Sequence, residues 1–209
     1  MRGVFLSFEG GEGSGKSLQA RRLVDSLRAR GRDVVLTREP GGTPAGERMR
    51  DLVLYARDVS LSPEAQVLLF SAARAQIVRD VIEPALEAGK IVVADRFFDS
   101  TLAYQGYGHG VDIDGIRAVT RFAVGTLVPD RTFVLDAPLE VTLRRTGRRD
   151  RWDRFETVER AFHERVRDGY LRLAAAEPAR FVVISSDRDP DSVSAEIRRE
   201  VDALLGTPA

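Results

Sequence analysis

The chain has 209 residues, 43% apolar and 31% charged, and no cysteine, which excludes a disulfide scaffold, a Cys-ligated metal centre and a Cys nucleophile. Lys+Arg and Asp+Glu each number 32, so the formal net charge is zero and a strongly basic nucleic-acid binder is disfavoured. No apolar run approaches the ~18 residues of a membrane span, and the opening MRGVFLSFEGGEG does not read as a signal peptide, so the expectation is a cytoplasmic protein with no membrane and no nucleic-acid partner.

In chain order, Val4–Phe8 is a mostly apolar run ending at glycines and predicts a buried strand. Leu18, Leu23, Val24 and Leu27 are spaced as on a helix over 15–30, which Gly31 closes. Val34–Leu36 predicts the second strand, Pro40–Pro44 a turn-rich segment, and 45–56 a short helix. Ser62-Pro63-Glu64 is a helix start, with a capping hydroxyl and proline in the first turn, and the helix is expected to reach about Ala88 with a kink at Pro84. Lys90–Asp95 predicts the third strand. A helix around 98–105, a glycine-rich loop over Gly106–Gly110 and a helix around 112–124 follow. Thr132–Asp136 and Phe181–Ile184 predict the last two strands, with Pro138 and Asp189-Pro190 opening the helices after them. Strands that are apolar throughout and alternate with helices predict a five-stranded parallel sheet covered on both faces, an α/β fold in one domain over residues 1–209.

The strongest chemical signal is Gly10-Gly11-Glu12-Gly13-Ser14-Gly15-Lys16-Ser17, which matches G-x-x-x-x-G-K-[ST] between a strand and a helix. Glycines let successive backbone N–H groups turn inward on a phosphate, and the helix N-terminus adds partial positive charge. Lys16 is placed to reach the β- and γ-phosphates and the Ser17 hydroxyl to bind Mg²⁺. Lys16 and Lys90 are the only lysines among 32 basic residues, so lysine here marks a site where a compact ammonium is needed.

Five further groups carry candidate chemistry, two of them at the carboxyl edge of the sheet. Asp95-Arg96 ends the third strand, on the edge where nucleotides bind, and Asp95 can hold Mg²⁺ directly or through water. Arg38–Thr43 follows the second strand. Arg38 can grip a phosphate as a bidentate fork or form an ordinary surface ion pair. Phe70 and Arg74 share a helix face, fit either to stack on a base and bond its edge or, as spacing alone favours, to be a core ring beside a snorkelling Arg. Ser100 and Tyr104 form a similar pair just after Asp95-Arg96. Residues 144–154 carry six arginines, Arg144, Arg145, Arg148, Arg149, Arg151 and Arg154, and read as a basic lid over a transferring phosphoryl group. His109 and His163 read as surface residues, and Trp152 packs within the lid segment.

On these motifs the chain resembles the thymidylate kinase family over nearly its whole length. Phe8–Ser17, Arg38-Glu39-Pro40-Gly41-Gly42-Thr43, Phe70-Ser71-Ala72-Ala73-Arg74, Asp95-Arg96-Phe97 and Ser100-Thr101-Leu102-Ala103-Tyr104-Gln105 follow the family's order. The resemblance implies a P-loop nucleoside monophosphate kinase-like fold, a homodimer, and phosphorylation of dTMP to dTDP by Mg-ATP in dTTP biosynthesis. It implies that Gly10, Gly11, Glu12, Gly13, Ser14, Gly15, Lys16 and Ser17 bind ATP, with Ser17 and Asp95 on the metal side. It places Arg38, Phe70, Arg74, Arg96, Ser100, Thr101, Tyr104 and Gln105 at dTMP: Phe70 on thymine, Tyr104 by the sugar and Arg96 between the phosphates. Glu12 approaches the sugar 3′-hydroxyl. Gly13 stands where some members carry a catalytic Arg, so the chain resembles the bacterial type with that Arg in the lid, about residues 144–155; Arg149 is the candidate and Arg148 the next. With Lys16, Arg96, Glu12 and Asp95, Arg149 completes the implied catalytic set. Another P-loop nucleoside or nucleoside monophosphate kinase is the alternative. A GTP switch is disfavoured, since the chain has no Asn-Lys-x-Asp segment.

Overall fold

The computed structural model describes residues 2–56, 58–146 and 159–206. The five apolar runs are strands β1 (Phe5–Glu9), β2 (Val34–Arg38), β3 (Ile91–Asp95), β4 (Arg131–Asp136) and β5 (Phe181–Ser185). They pair in parallel in the order β2-β3-β1-β4-β5, so β1 is central and the chain's direction of winding reverses beside it. In such sheets the crevice outside the carboxyl ends at the reversal is where ligands bind.

Helices α1 (Lys16–Ala29), α2 (Pro44–Arg50), α3 (Pro63–Ile77), α4 (Glu83–Glu87), α5 (Phe98–Thr101), α6 (Ile113–Val124), α7 (Leu139–Thr146), α8 (Arg160–Ala176) and α9 (Pro190–Leu204) connect and cover the strands. Side chains along β1 alternate between two cores. Phe5 packs in one with Val92, Ala94 and Val134, closed by Ile77 of α3, Ile116 of α6 and Val166 of α8. Leu6 and Phe8 pack in the other with Val93 and Phe133, closed by Leu23 and Leu27 of α1 and Ile197 and Val201 of α9. Both faces are therefore covered, as continuously apolar strands require. Capping follows the sequence: Ser62 accepts from the Ala65 N–H at 3.2 Å, and Asp189 from those of Asp191 and Ser192 at 3.0 Å.

Three expectations change in detail. The helix expected from 63 to 88 is α3, a π-helical segment Val78–Ile82, and α4 with Pro84 in its first turn. The wider turn accommodates a proline that has no N–H to donate. The helix over 45–56 likewise ends in a π turn, Asp51–Tyr55. The loop expected over Gly106–Gly110 is mostly helical, because α5 continues as a π-helical segment from Leu102 to Gly108. Those glycines serve close packing. A Cβ on Gly106 would lie 2.3 Å from Ile113 Cδ1, and one on Gly108 2.6 Å from Phe162 Cε2.

A buried ion pair ties α5 to the sheet. Arg180, just before β5, donates to Asp99 at 2.6 and 3.0 Å and to the Thr132 hydroxyl at 2.9 Å. Asp99 is fully buried, and burial raises its carboxyl pKa although Arg180 pulls the other way. Removing one partner strands the other charge in a low-dielectric site. Asp99→Ala is expected to lower the unfolding free energy by about 3–5 kcal/mol, read from urea denaturation; a loss below about 1 kcal/mol would show that Glu177, which accepts from Arg180 at 2.9 Å, or solvent satisfies the guanidinium instead.

Candidate active site

The bend from β1 into α1 is pressed between β4 and α7. Gly10 has φ +134°, and a Cβ there would lie 2.5 Å from the Leu135 carbonyl. Gly13 has φ +75°, and its Cβ would meet the Thr142 carbonyl at 2.6 Å. Only glycine fits this path. Gly15 then caps α1, and the Lys16 ammonium donates to the Gly11 carbonyl at 2.8 Å. Burial, then the neighbouring Arg96 charge, lowers the Lys16 pKa to about 8, against the opposing pull of Glu12, Asp95 and Glu9. Lys16 is thus a buried cation short of negative charge, which a polyphosphate supplies.

Arg96 is the centre of the site. Its φ of +75° is the left-handed region, unusual for a residue with a Cβ. Its N–H extends the sheet by donating to the Phe8 carbonyl at 2.9 Å. One guanidinium nitrogen donates to the Gly10 carbonyl, the Ser100 hydroxyl and the Tyr170 hydroxyl, each at 3.0 Å. The other donates to Glu12 at 2.7 Å and to the Tyr104 hydroxyl at 3.2 Å. Tyr104 in turn donates to Glu12.

Two carboxylates flank this guanidinium and are shifted in opposite directions. Burial works against ionised Glu12, but the charges of Arg96 and Lys16 and the Tyr104 hydroxyl outweigh it and hold the carboxyl below the usual carboxylate range. Glu9 is fully buried at the end of β1, where burial and then the Asp99 charge push its pKa up to about 7. It accepts from the Phe97 N–H at 2.7 Å, the Ser100 hydroxyl at 2.5 Å and the Tyr170 hydroxyl at 3.1 Å.

The turn after β2 makes the opposite wall. Glu47 accepts from the Gly42 N–H at 2.8 Å and from Arg38 at 2.9 Å, and Arg50 donates to the Pro40 carbonyl at 2.8 Å. Glu39 reaches inward to Arg74, a buried pair at 2.7 Å. Burial pushes the Glu39 carboxyl up to about 7 despite that partner. Arg74 also donates to the Thr101 hydroxyl at 3.0 Å, while its Nη1 has no protein partner among the described residues.

One cavity of ≈ 590 Å³ collects these walls, in the range of a small-molecule site. Glu12, Lys16, Ser17, Arg38, Phe70, Arg74, Asp95, Arg96, Ser100, Thr101, Tyr104 and Gln105 all line it. Gly10, Gly11 and Ser14 instead line an adjoining crevice against β4, α7 and α8. Ser100 and Thr101 are engaged by Arg96, Glu9 and Arg74. Arg149, Arg148 and Trp152 lie outside the described residues. Of the residues that sequence reasoning left without a role, Arg50 lines the cavity, Glu39 backs Arg74, and Glu9 and Tyr170 back Arg96. A basic helix residue three places from Glu47 was a faint signal for Arg50; Tyr170 carried none. His163 is half-buried, with its Nε2 unpartnered among the described residues, so the surface reading does not fit it.

The donors suit a hard cation. Ser17 and Asp95 place a hydroxyl and a carboxylate in the same cavity, and no cluster of three or more acidic or imidazole groups that could hold a metal exists among the described residues. Two oxygen donors would fit Mg²⁺ carried in by a nucleotide, whose phosphates and waters would supply the remaining ligands.

The Glu9 environment generates a pH test. The native state keeps the Glu9 proton to about pH 7, whereas the unfolded chain loses it near the ordinary carboxylate value. Native protein therefore binds more protons in between, and this contribution to stability is full at acid pH and lost as pH rises towards 7. Glu9→Gln is expected to remove that slope, measured by urea unfolding at several pH values from 4.5 to 7.5. Parallel pH profiles for the two proteins would show that Glu9 titrates normally.

A family model described as thymidylate kinase matches residues 8–197. A curated thymidylate kinase of Desulfovibrio desulfuricans is 48% identical, over 97% of this chain and 96% of that protein. One of Deinococcus radiodurans is 47% identical, over 94% of this chain and 95% of its own. A crystal structure of thymidylate kinase from Ehrlichia chaffeensis superposes with a TM-score of 0.78 at 34% identity, covering 96% of this chain and 99% of that one.

Proposed function

The chain belongs to the thymidylate kinase family, and from that premise we propose that it transfers the γ-phosphoryl group of Mg-ATP to dTMP, giving dTDP and ADP on the route to dTTP. The observation that carries this reading is the continuity of one cavity from Lys16 and Ser17 of the glycine-rich loop, past Arg96, to Phe70, Arg74 and Gln105. A donor phosphate at one end and a base at the other bring the acceptor phosphate beside Arg96.

In this reading the loop amides of Gly10–Ser17 and Lys16 hold the triphosphate. Ser17 and Asp95 hold Mg²⁺, which offsets phosphate charge when bound. Arg38 and Arg96 grip the acceptor phosphate, Phe70 stacks on the base, and Arg74, Ser100, Thr101 and Gln105 surround it. Tyr104 and Glu12 face the sugar, and Arg149 is the further catalytic arginine that the family resemblance implies. The acceptor is already an anion, so no base need remove a proton. The protein's contribution is positioning and charge neutralisation. Arg96 suits the task because five hydrogen bonds already fix it, so little reorganisation accompanies the transfer.

The same reading includes a cytoplasmic homodimer. The cysteine-free composition fits a reducing compartment. Its assembly is supported by α3 and α6, which expose Leu68 and Phe122, the latter 94% accessible, with small Gly115 and Ala118 beside it on the same helix. A ring so exposed next to small residues suits a knob for a second copy.

Two measurements follow. An ADP-release assay with dTMP, dUMP, dCMP and thymidine is expected to give the highest kcat/KM for dTMP; faster turnover of thymidine or dUMP would replace this assignment with another P-loop kinase. Phe122→Glu is expected to shift the protein from dimer to monomer in sedimentation velocity with the fold retained, and an unchanged dimer would move the interface elsewhere.

A further inference from the structure

Three residues on one face of α3, at i, i+4 and i+8, are Gln66, Phe70 and Arg74. Phe70 and Arg74 line the cavity; Gln66 does not, and is buried behind it. Its Nε2 donates to the Leu61 carbonyl at 3.2 Å, and its Oε1 accepts from Gln105 Nε2 at 3.1 Å. A backbone carbonyl can only accept, so it fixes the polarity of the chain of amides. With the Gln66 amine committed to Leu61, its oxygen must face Gln105. One N–H of the Gln105 amine is then held by Gln66, which sets the orientation of the amide, and its Oε1, with no protein partner among the described residues, remains as the acceptor of a side chain that lines the cavity. Arg74 Nη1, also unpartnered, offers a donor.

We infer that Gln66 is a positioning residue that locks the Gln105 amide as an acceptor beside the Arg74 donor, and so selects a pyrimidine with a 4-carbonyl and a protonated N3 against cytosine. The inference rests on the proposed pyrimidine monophosphate substrate. At the same edge cytosine presents an amine and a bare N3, so donor would meet donor and acceptor would meet acceptor. A free Gln105 amide can turn over and relieve one of the two mismatches. A locked one cannot without setting its oxygen against the oxygen of Gln66, which leaves buried groups unsatisfied.

The test compares wild type, Gln66→Met and Gln66→Glu by the KM for dTMP and the inhibition constant of dCMP as competitor. Gln66→Met keeps the volume and removes both amide contacts. Its ratio of dCMP inhibition constant to dTMP KM is expected to fall about ten-fold, the size of one hydrogen-bond mismatch, with KM affected more than kcat. Gln66→Glu, neutral in this buried position, still donates to Leu61 and accepts from Gln105, and is expected to keep the wild-type ratio. A folded Gln66→Met enzyme with an unchanged ratio, or equal loss in both variants, overturns the inference and leaves the proposed function standing. Absence of dTMP turnover in the wild type sinks both. Should Gln66→Met fail to fold, nuclear Overhauser contacts in labelled wild type with dTMP decide. Contacts from the Gln105 amide protons to Gln66 uphold the lock, and contacts to the base instead overturn it.

Discussion

The site depends on the burial of one guanidinium. Arg96 leaves β3 in a left-handed backbone conformation that costs a side-chain-bearing residue about 1–2 kcal/mol. What holds it is a set of acceptors from four places in the chain: Gly10 and Glu12 of the bend after β1, Ser100 of α5, Tyr104 of the π-helical segment, and Tyr170 of α8. Each contact would be weak in water. Together, out of water, they fix the direction of a charge before any phosphate arrives.

Two glutamates three residues apart show how finely burial divides similar groups. Glu12 faces both Arg96 and Lys16 and stays ionised. Glu9 lies deeper and feels Asp99, and its proton is held to near neutrality. Two full anions beside one guanidinium would over-neutralise it and weaken its hold on a phosphate. With its carboxyl pushed up to about 7, Glu9 is only partly ionised near neutral pH and leaves Arg96 more of its positive character. The wider cavity has the same bias, with Lys16, Arg21, Arg38, Arg50, Arg74 and Arg96 against Glu12, Glu39 and Asp95. In a chain of zero formal charge, cations are therefore gathered at the cavity and the balancing acids lie elsewhere.

Much of this was legible in the sequence, for reasons that also explain the misses. The glycine-rich bend is local, so its spacing declares it. The central strands β1 and β3 are largely apolar because both their faces are buried, whereas the edge strands β2 and β5 leave Leu36 and Val183 exposed, and the strand ends locate Asp95, Arg96 and Arg38 on one edge. Glu9 and Tyr170 meet across 161 positions of chain, and no local pattern reports such a contact. Gly106 and Gly108 read as loop punctuation because glycine serves turns and close packing alike; only the positions of Ile113 and Phe162 distinguish the two. Phe70 was divided between core and base. It is half-buried, packs against the core and lines the cavity, so the two readings were never exclusive.

Chemistry and recognition fall on different kinds of backbone. Groups fit for phosphate sit at strand ends and their first turns, at Lys16, Arg38 and Arg96, where the sheet sets position rigidly. In the proposed reading the groups fit for a base sit on helices, and a second buried residue backs two of them: Glu39 behind Arg74, Gln66 behind Gln105. Helix side chains are long and rotatable, and an Arg or Gln left free would adapt to whatever base entered. The backing residues remove that freedom before binding, so a mismatched edge must break a buried hydrogen bond as well as forgo a new one. With dTMP held as proposed, binding energy gathered at the base would then be available at the phosphates, since a rigid sheet edge would convert a correctly seated base into a correctly placed acceptor oxygen.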